Sequence, residues 1–433
     1  MKKTLKPDLT NRRSFLKTTG TAMLGGALVY NLGFPSEAFA NRKKTLKIGL
    51  IGCGGRGTGA ALQALKADPD VIITALGDAF EDRLEGTYKA LIQVAPDQTK
   101  IKHKFIGFDA YQKVIDSGVD VVLLATPPAF RPDHLTYAVN AGKHIFCEKP
   151  VAVDAPGVRK VLAAAKLAKD KNLSLVSGFC FRHDFANMAT FSKIINGEIG
   201  DIKTVTTFRN GGELSAQYSR GGEKGIAHQL RNWYYQNWLS GDMLTEQAVH
   251  SIDMMSWAMN DQLPIKAIGT GGRQVRVGEE FGNIYDHFAI EYQYANGAKG
   301  FHFCRQQSGT TSRNTVEVAG TKGDASMTMG RSHIITGQNP WEYTGEKNNM
   351  FQTEHDILFA SIRSGKPFND GERMANSTMI GILGTLAAYT GQEVSWEQAF
   401  NSEHSIGPNI ADYNWDLEWK NAPIAVPGIT KLL

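Results

Sequence analysis

A short apolar run that ends in a cluster of glycines is the feature that most constrains the fold of this chain. Residues 46–51 predict a strand, which is followed by the turn Gly52-Cys53-Gly54-Gly55-Arg56-Gly57 and then by apolar residues at helical spacing. A G-x-G-x-x-G turn between a strand and a helix is typical of a dinucleotide-binding unit. Its first glycine permits the tight turn, the second lets a pyrophosphate approach the backbone, and the third lets helix and strand pack closely.

An acidic residue at the end of the next apolar run supports this interpretation. Residues 71–76 predict a second strand, and Asp78 follows it, 26 residues after Gly52. A carboxylate at this distance would accept hydrogen bonds from the adenosine ribose hydroxyls and would repel a 2′-phosphate, so NAD is favoured over NADP as the cofactor. Asp78 would also suit the N-cap of the following helix, and the two roles can coexist.

The alternation of strands and helices continues through the first third of the chain. The predicted elements are a helix over 81–94, a strand at 104–106, a helix over 109–117, a strand over 119–125, a helix around 131–141 and a strand over 144–147. Apolar strands separated by short helices are typical of a parallel sheet that is covered on both faces. We therefore predict an α/β Rossmann domain, a doubly wound parallel sheet, with Thr126 and Pro127 at its ligand-binding carboxyl edge.

Three motifs in different parts of the chain carry a resemblance to a known family. The strand at 144–147 ends in Glu148-Lys149-Pro150, residues 241–253 have the sequence GDMLTEQAVHSID, and residues 380–391 have the sequence IGILGTLAAYTG. Together with the glycine turn they resemble the glucose–fructose oxidoreductase, inositol dehydrogenase and MocA (Gfo/Idh/MocA) family, over nearly all of residues 41–433.

The resemblance implies both a fold and a class of ligand. It implies a Rossmann domain followed by an α+β domain with a large open-faced, mostly antiparallel sheet, which often supports oligomer contacts. It also implies a sugar- or cyclitol-type substrate between the domains, over the nicotinamide, and a cis peptide bond before Pro150. We therefore predict an NAD-binding domain over 41–152, an α+β substrate and oligomerisation domain over 153–433, and a homo-oligomer.

The later sequence fits the second domain. Alternating residues over 286–294 and 298–304 flank an Asn-Gly turn, a strong hairpin signal, and residues 313–319 and 325–329 continue the antiparallel pattern. Helices predicted over 353–364 and 374–390 close the chain, and we expect them to pack back near the first domain.

Lys149 and His250 are the residues to which we assign the chemistry. Lys149 ends a strand beside the expected nicotinamide, next to the cofactor-binding candidate Glu148, and its ammonium group can bind a substrate hydroxyl and assist its deprotonation. Glu246, His250 and Asp253 fall at i, i+4 and i+7, on one face of a predicted helix. In that arrangement Glu246 would orient the His250 imidazole, which would take the hydroxyl proton as hydride leaves the same carbon.

Alternatives remain for this helix. From spacing alone, His250 fits equally well as a buried structural histidine beside an ion pair, and the resemblance favours the catalytic role. The family usually has Asp at the position of Glu246, so the resemblance does not support a substrate contact for this longer side chain. Asp253 is a substrate candidate that would equally cap or pair within the helix.

Further candidates lie on either side of this region. Arg182, as a cofactor contact, and His183, as a substrate contact, follow a strand predicted over 173–177, and either would equally serve at a domain interface. Arg231, Trp233 and Tyr234 combine aromatic rings with a guanidinium group, a mixture that complements the apolar faces and hydroxyl edges of sugars. The same rings would also fit a hydrophobic core. The Gly- and Ser-rich stretch over 211–225 predicts a loop that either covers the cleft or is plain surface.

The start of the chain is typical of an export signal. Residues 11–17 (NRRSFLK) resemble the twin-arginine signature, a mildly apolar stretch follows over 18–34, and Ala38-Phe39-Ala40 is a small-x-small cleavage site. The apolar stretch is shorter than the ~20 strongly apolar residues of a membrane-spanning helix. We predict a twin-arginine signal peptide over 1–40, a partnership with that export machinery, and a periplasmic or otherwise exported mature protein without membrane attachment.

Charge and cysteine content exclude other classes of partner. The formal net charge of +4 belongs to residues 1–40, which carry six basic and two acidic residues, so the rest of the chain is neutral overall. A chain without a basic stripe is not typical of nucleic-acid binding. The four cysteines form no CxxC pair, so we predict buried thiols and no metal site.

Location decides between the possible reactions. A periplasm offers no dependable pool of free NAD, so a dehydrogenase that exchanged its cofactor in each cycle would lack it there. We therefore predict an oxidoreductase that acts on a hydroxyl of a sugar, glycoside or cyclitol with tightly bound, internally recycled NAD. The alternative is an NAD-dependent glycoside hydrolase that uses transient oxidation and elimination, with a second base among His183, His228, Tyr234 and Tyr235.

Overall fold

The apolar strands of the first part of the chain pair into one parallel sheet, as predicted. In the computed structural model, which describes residues 44–214 and 223–432, the strands of this sheet are β1 (Leu46–Ile51), β2 (Val71–Asp78), β3 (Thr99–Ile106), β4 (Val121–Leu124), β5 (His144–Cys147) and β6 (Leu175–Ser177). Their order in the sheet is β3-β2-β1-β4-β5-β6, and every neighbouring pair is parallel. The order in which the strands are added therefore reverses between β1 and β4, where α/β sheets open a ligand-binding crevice.

Helices connect these strands, four of them at the predicted places. They are α1 (Gly55–Ala67), α2 (Glu81–Val94), α3 (Ala110–Asp116), α4 (Arg131–Asn140) and a fifth, α5 (Ala155–Asp170), which the sequence did not predict. In α1 the buried residues are small or apolar and recur at helical spacing, which lets the helix lie close to the sheet. The sheet takes its last strand, β6, from beyond residue 152, so the sheet ends later than the predicted domain division.

The glycine turn has the geometry that its sequence predicts. Gly52 has a φ of +96°, a left-handed conformation that side chains disfavour. A Cβ at Gly57 would lie 1.8 Å from the carbonyl oxygen of Gly52, so only glycine lets α1 approach β1 this closely. A Cβ at Gly54 or Gly55 would meet nothing within 4 Å, which leaves the front of the turn open to a ligand.

This contrast predicts opposite phenotypes for two neighbouring glycines. We expect Gly57→Ala to lower the free energy of unfolding by about 1–3 kcal/mol, because the methyl group forces α1 away from β1. Gly54→Ala should leave thermal unfolding unchanged and weaken NAD binding, because its methyl group enters only the open space. Thermal unfolding of both variants without added cofactor, followed by NAD titration, tests the pair. Equal losses of stability would contradict this division of roles.

The second half of the chain forms the large, mostly antiparallel sheet that the resemblance implies. Its strands are β7 (Ile202–Gly211), β8 (Lys266–Gly272), β9 (His287–Gln293), β10 (Lys299–Gln306), β11 (Arg313–Gly320), β12 (Gly323–Thr328), β13 (Ser332–Gly337), β14 (Trp341–Glu342) and β15 (Val394–Ser395). The order is β14-β13-β12-β11-β7-β10-β9-β8-β15, and only β7 and β10 pair in parallel. The sequence did not predict β7, β8, β13, β14 or β15, and β7 lies in the middle of the sheet.

One face of this sheet is covered and the other is open. The helices of this half are α6 (Phe185–Ile195), α7 (Gly225–Arg231), α8 (Asn237–Ser240), α9 (Asp242–Glu246), α10 (Val249–Ala258), α11 (Met350–Ser364), α12 (Gly371–Thr390) and α13 (Trp396–Phe400). The sheet packs against α10 and α12, whereas Ile268, Phe303 and Ile334 keep 44%, 36% and 36% of their surface exposed. The fold class is thus confirmed, and the homo-oligomer stays a prediction.

The C-terminal helices pack back on the Rossmann sheet, as expected. The helix α11 lies against α1 and the strands β5 and β6, and α12 lies against α5. Gln352 on α11 donates to the carbonyl of Gln63 at 3.0 Å, and Arg363 donates to Asp68 at 2.6 Å. This packing brings residues from the end of the chain to the edge of the glycine turn.

The single helix predicted through Glu246, His250 and Asp253 is wrong. The structure divides it into α9, which ends at Glu246, and α10, which begins at Val249. The amide of Ala248 donates to the carbonyl of Met243, five residues earlier, so the backbone makes one wider turn there. The side chain of Gln247, at this turn, accepts a hydrogen bond from Gln306 of β10. Glu246 and His250 are therefore not stacked one turn apart.

Two further observations concern the chain as a whole. All four cysteines are buried and free of disulfides, as predicted. Within residues 44–214 and 223–432, no helix is both long and apolar enough to cross a membrane. The predicted signal peptide over 1–40 lies outside the described residues.

Candidate active site

A cavity of about 560 Å³ lies at the carboxyl ends of the parallel strands, where the strand order reverses between β1 and β4. It is lined by most of the residues that the sequence predicts to contact the cofactor, namely Gly52, Gly54, Gly55, Arg56, Gly57, Asp78, Thr126 and Pro127. Aromatic residues line it as well, including Phe80, Phe108 and Phe130. These eight predicted residues thus converge on one concave site of the size that a cofactor needs, whereas the predicted contacts Glu148, Lys149 and Arg182 do not line it.

Asp78 connects the second strand to the glycine turn. Its carboxylate accepts hydrogen bonds from the amide of Cys53 at 2.6 Å and from the amide of Phe80 at 2.9 Å. Burial raises the pKa of Asp78, and these two amide hydrogen bonds act in the opposite direction. A carboxylate held at the end of β2 beside an open glycine turn fits the adenosine and pyrophosphate of NAD. The glycine turn and Asp78 would hold these two parts of the cofactor.

Arg56 in the glycine turn is fixed by two buried carboxylates. Its Nε donates to Glu148, its Nη2 donates to Glu354 at 3.2 Å, and its Nη1 donates to Gln63 at 3.0 Å. Burial, together with repulsion from Glu148, raises the pKa of Glu354 well above its usual value. Glu148 therefore acts on the cofactor site through Arg56. Glu354 is a positioning residue that the sequence analysis missed.

Lys149 lies on the other side of Glu148 and is held by Glu246. The Lys149 Nζ donates to the Glu246 carboxylate at 3.2 Å and also to the Glu246 backbone carbonyl. Both side chains are nearly buried, with exposures of 12% and 13%. An ammonium group has three N–H donors, so one is left for a substrate oxygen. The Lys149–Pro150 peptide bond is cis, as the resemblance implies.

His250 is close to Lys149 but is not oriented by Glu246. Its ring packs against Phe179 and Phe181, with centroid distances of 6.0 Å and 5.0 Å. Its Nδ1 is buried and has no hydrogen-bond partner among the described residues, so the predicted Glu246–His250 contact is wrong. Burial, followed by the positive charges of Lys149, Arg209 and Arg56, lowers the pKa of His250 well below its usual value. The imidazole is therefore neutral and able to accept a proton.

Comparison with known proteins agrees with this geometry. Residues 46–177 match the family model described as "Oxidoreductase family, NAD-binding Rossmann fold", and residues 190–326 match the GFO/IDH/MocA C-terminal domain. The chain belongs to the Gfo/Idh/MocA family. It is an NAD-binding oxidoreductase.

Individual members of the family show how distant the known relatives are. The chain is 26% identical to the inositol 2-dehydrogenase of Rhizobium meliloti, over 64% of this chain and 74% of that protein. Its fold is similar to an aldose-aldose oxidoreductase from Caulobacter crescentus, at 19% identity and a TM-score of 0.64, over 82% of this chain and 100% of that one. It is also similar to a levoglucosan dehydrogenase, at 19% identity and a TM-score of 0.63, over 81% of this chain and 99% of that one.

Two of the candidate residues, Arg182 and Asp253, form an ion pair with each other. Arg182 donates to both carboxylate oxygens of Asp253, at 3.0 Å and 2.9 Å, and to Asp261 at 2.6 Å. Asp253 also accepts from Ser377 of α12 at 2.7 Å. Both residues are buried and neither lines the cavity, so their geometry is that of a structural ion pair between elements. Direct cofactor and substrate contacts of Arg182 and Asp253 stay predictions.

The substrate candidates Arg231, Trp233 and Tyr234 all line the cavity. Arg231 pairs with Asp82 and lies over Phe80, 3.7 Å from the ring centroid, so it is at the Asp78 end. Trp233 and Tyr234 also line the cavity, and the Tyr234 hydroxyl donates to Gln306 at 3.0 Å. Burial, followed by the charge of Glu246, raises the pKa of Tyr234 well above its usual value. Its phenol therefore stays protonated.

His183 is buried among these elements without lining the cavity. Burial lowers the pKa of His183 to about 3, with Arg373 and Arg182 contributing. Unlike the half-buried His250, His183 is buried, and the protonated phenol of Tyr234 is not a base. The hydrolase alternative thus draws no support from His183 or Tyr234.

Proposed function

We propose that the protein oxidises a hydroxyl group of a sugar, glycoside or cyclitol with NAD that stays bound between turnovers. The observation that carries the proposal is a neutral His250 beside the Lys149–Glu246 pair, close to the Arg56–Glu148 corner of the cofactor cavity. The substrates in the names of the relatives, inositol and levoglucosan, belong to the same chemical class of polyhydroxylated rings.

The arrangement supplies the two functions that the oxidation of an alcohol needs. The free N–H of Lys149 binds the substrate oxygen and holds the reacting carbon in place. His250 takes the hydroxyl proton as the C–H bond breaks, and the substrate becomes a carbonyl compound. When bound, NAD accepts the hydride, so the proton and the electron pair are both accounted for.

Contacts across the cavity support retention of the cofactor. We use the name adenosine clasp for Phe80, Asp82, Arg231 and Trp415. Arg231 makes two hydrogen bonds to Asp82, at 2.9 Å and 2.7 Å. Trp415 packs on Phe80 at a centroid distance of 5.4 Å, so a segment near the C-terminus backs the cavity wall at its Asp78 end. We infer that a cofactor bound at this end of the cavity dissociates when these contacts open.

Export fits a retained cofactor. The leader carries the twin-arginine pattern and a small-x-small cleavage site, which together favour transport of a folded protein. A protein that leaves the cytoplasm with NAD bound needs no external pool, provided that each catalytic cycle restores the cofactor. We therefore include a periplasmic or otherwise exported location in the proposal.

The test starts from the cofactor content of the purified protein. We expect denaturation to release nearly one NAD per chain, identified by mass spectrometry. A protein that is empty and requires millimolar added NAD would refute retention.

The reaction is then tested with the loaded protein. Incubation with sugars and cyclitols should give lasting absorbance near 340 nm, or none if a second carbonyl compound restores the cofactor in the same mixture. Release of an aryl aglycone without a net absorbance change would instead identify a hydrolase.

A further inference from the structure

A second, polar cavity lies beside the proposed reaction centre. It has a volume of about 230 Å³ and is lined by Arg209, Asn210, Gly211, Gly212, Gln247 and Asn314. Arg209 and Asn314 are paired across β7 and β11. All four side chains that line the cavity are polar and none is acidic, so the cavity is suited to oxygen-rich, negatively charged groups.

The guanidinium group of Arg209 gives this cavity its charge. Among the described residues it has no hydrogen-bond or ion-pair partner, and its Cζ lies 6.0 Å from the centroid of the Phe181 ring. Arg56 and Arg182 differ, since each pairs with two carboxylates. The buried Arg131 and Arg276 also differ, since they donate to backbone or side-chain carbonyl oxygens. An arginine cannot lose its charge in a protein, so a partly buried, unpaired guanidinium group is stabilised by an anion.

The cavity is next to the groups that would perform the oxidation. Gln247 directly follows Glu246, the residue that holds Lys149. The ring of Phe181 contacts both His250, at a centroid distance of 5.0 Å, and Arg209. Lys149 and Glu246 neutralise each other, whereas the charge of Arg209 has no acidic partner among the described residues. One substrate molecule can therefore reach the reaction centre and the cavity together.

We propose that this cavity binds a carboxylate group of the substrate, so that the preferred substrate is an acidic sugar such as a uronic acid or its glycoside. The inference rests on the proposed function and names the substrate class of that same site. Arg209 would bind the carboxylate through two parallel N–H donors. The side-chain amides of Asn210, Gln247 and Asn314 would bind neighbouring hydroxyl groups.

The test compares sugars that differ only at one carbon. Pairs of methyl glycosides with a CH₂OH or a COO⁻ group, in several ring configurations, are assayed with the NAD-loaded protein. We expect kcat/KM to favour the acidic member of the active pair by about 10- to 100-fold, the range of a charged hydrogen-bonded pair. In Arg209→Gln this ratio should fall towards one, and Arg209→Lys should retain part of it because lysine lacks the paired donors.

A matched control comes from the same sheet. Arg313 on β11 is exposed and pairs with Glu317, so Arg313→Gln should keep the wild-type ratio. Thermal unfolding and NAD content show whether each variant folds. Neutral sugars oxidised as efficiently as acidic ones, with no change of the ratio in Arg209→Gln, would overturn the inference and leave the proposed function standing.

Binding without turnover separates the two proposals. Calorimetric titration of NAD-loaded His250→Ala protein with a uronic acid glycoside should show binding. The double variant His250→Ala/Arg209→Gln should not bind the glycoside. Absence of binding would overturn the inference. If this binding is seen but no sugar is oxidised by the unmodified protein, the proposed function fails and the acidic subsite stands.

Discussion

His250→Ala should lower kcat for the oxidised sugar by about 10²- to 10⁴-fold and leave the NAD content unchanged. The imidazole is neutral because burial and the charges of Lys149, Arg209 and Arg56 lower its pKa. It lies outside the residues that line the cofactor cavity, so its removal takes away a proton acceptor without exposing the adenosine site. Steady-state kinetics and NAD release from denatured protein measure the two quantities on one preparation.

Companion variants separate catalysis from structure. Lys149→Met keeps most of the side-chain volume and should lose activity to a similar extent. His103→Ala, on exposed β3, should change neither kcat nor NAD content.

The pH dependence of the wild type gives a further test of His250. Because the pKa of His250 is lowered, its base form persists below pH 6.5, and kcat/KM of the wild type should fall only at more acidic pH. Full activity in His250→Ala would refute its assignment as the base.

The contrast between Asp78 and Glu354 shows what the sequence could and could not predict. The glycine turn, the strand before it and Asp78 lie within one short stretch, and each follows from local pattern and backbone requirements. Glu354 reaches Arg56 only because α11 packs against α1, nearly three hundred residues away in sequence. No local pattern marks such a residue.

The continuous helix predicted through Glu246 and the failure to predict β7, which carries Arg209, have related causes. The sequence through Glu246 has helical spacing throughout, whereas in the structure Gln247 lies at a wider turn and accepts a hydrogen bond from a strand that is distant in sequence. The strand β7, which carries Arg209, has a mixed polar composition because one of its faces is partly exposed. Its position in the sheet is set by long-range pairing with β10 and β11, which periodicity alone does not show.

Opening the adenosine clasp should release the cofactor. In the double variant Arg231→Ala/Trp415→Ala we expect NAD to dissociate about 10- to 100-fold faster than from the wild type. The variant loses a partly exposed, two-bond ion pair with Asp82 and two aromatic contacts, which are together worth about 2–3 kcal/mol. The aromatic contacts are those of Trp415 with Phe80 and Phe108, at centroid distances of 5.4 Å and 4.7 Å. Exchange of bound NAD against isotopically labelled NAD, followed by mass spectrometry, measures the rate.

Salt distinguishes the clasp from a general loss of stability. Asp82 is 58% exposed, so its pairing with Arg231 is screened by salt, and high ionic strength should accelerate NAD exchange in the wild type. The same increase should be absent from Arg231→Ala, in which the screened pair no longer exists. Trp341→Ala, which removes an aromatic ring from the far edge strand β14, is the matched control and should exchange NAD at the wild-type rate. If the double variant exchanged NAD as slowly as the wild type, the clasp would not be what retains the cofactor, and retention would have to arise from the glycine turn and Asp78 alone.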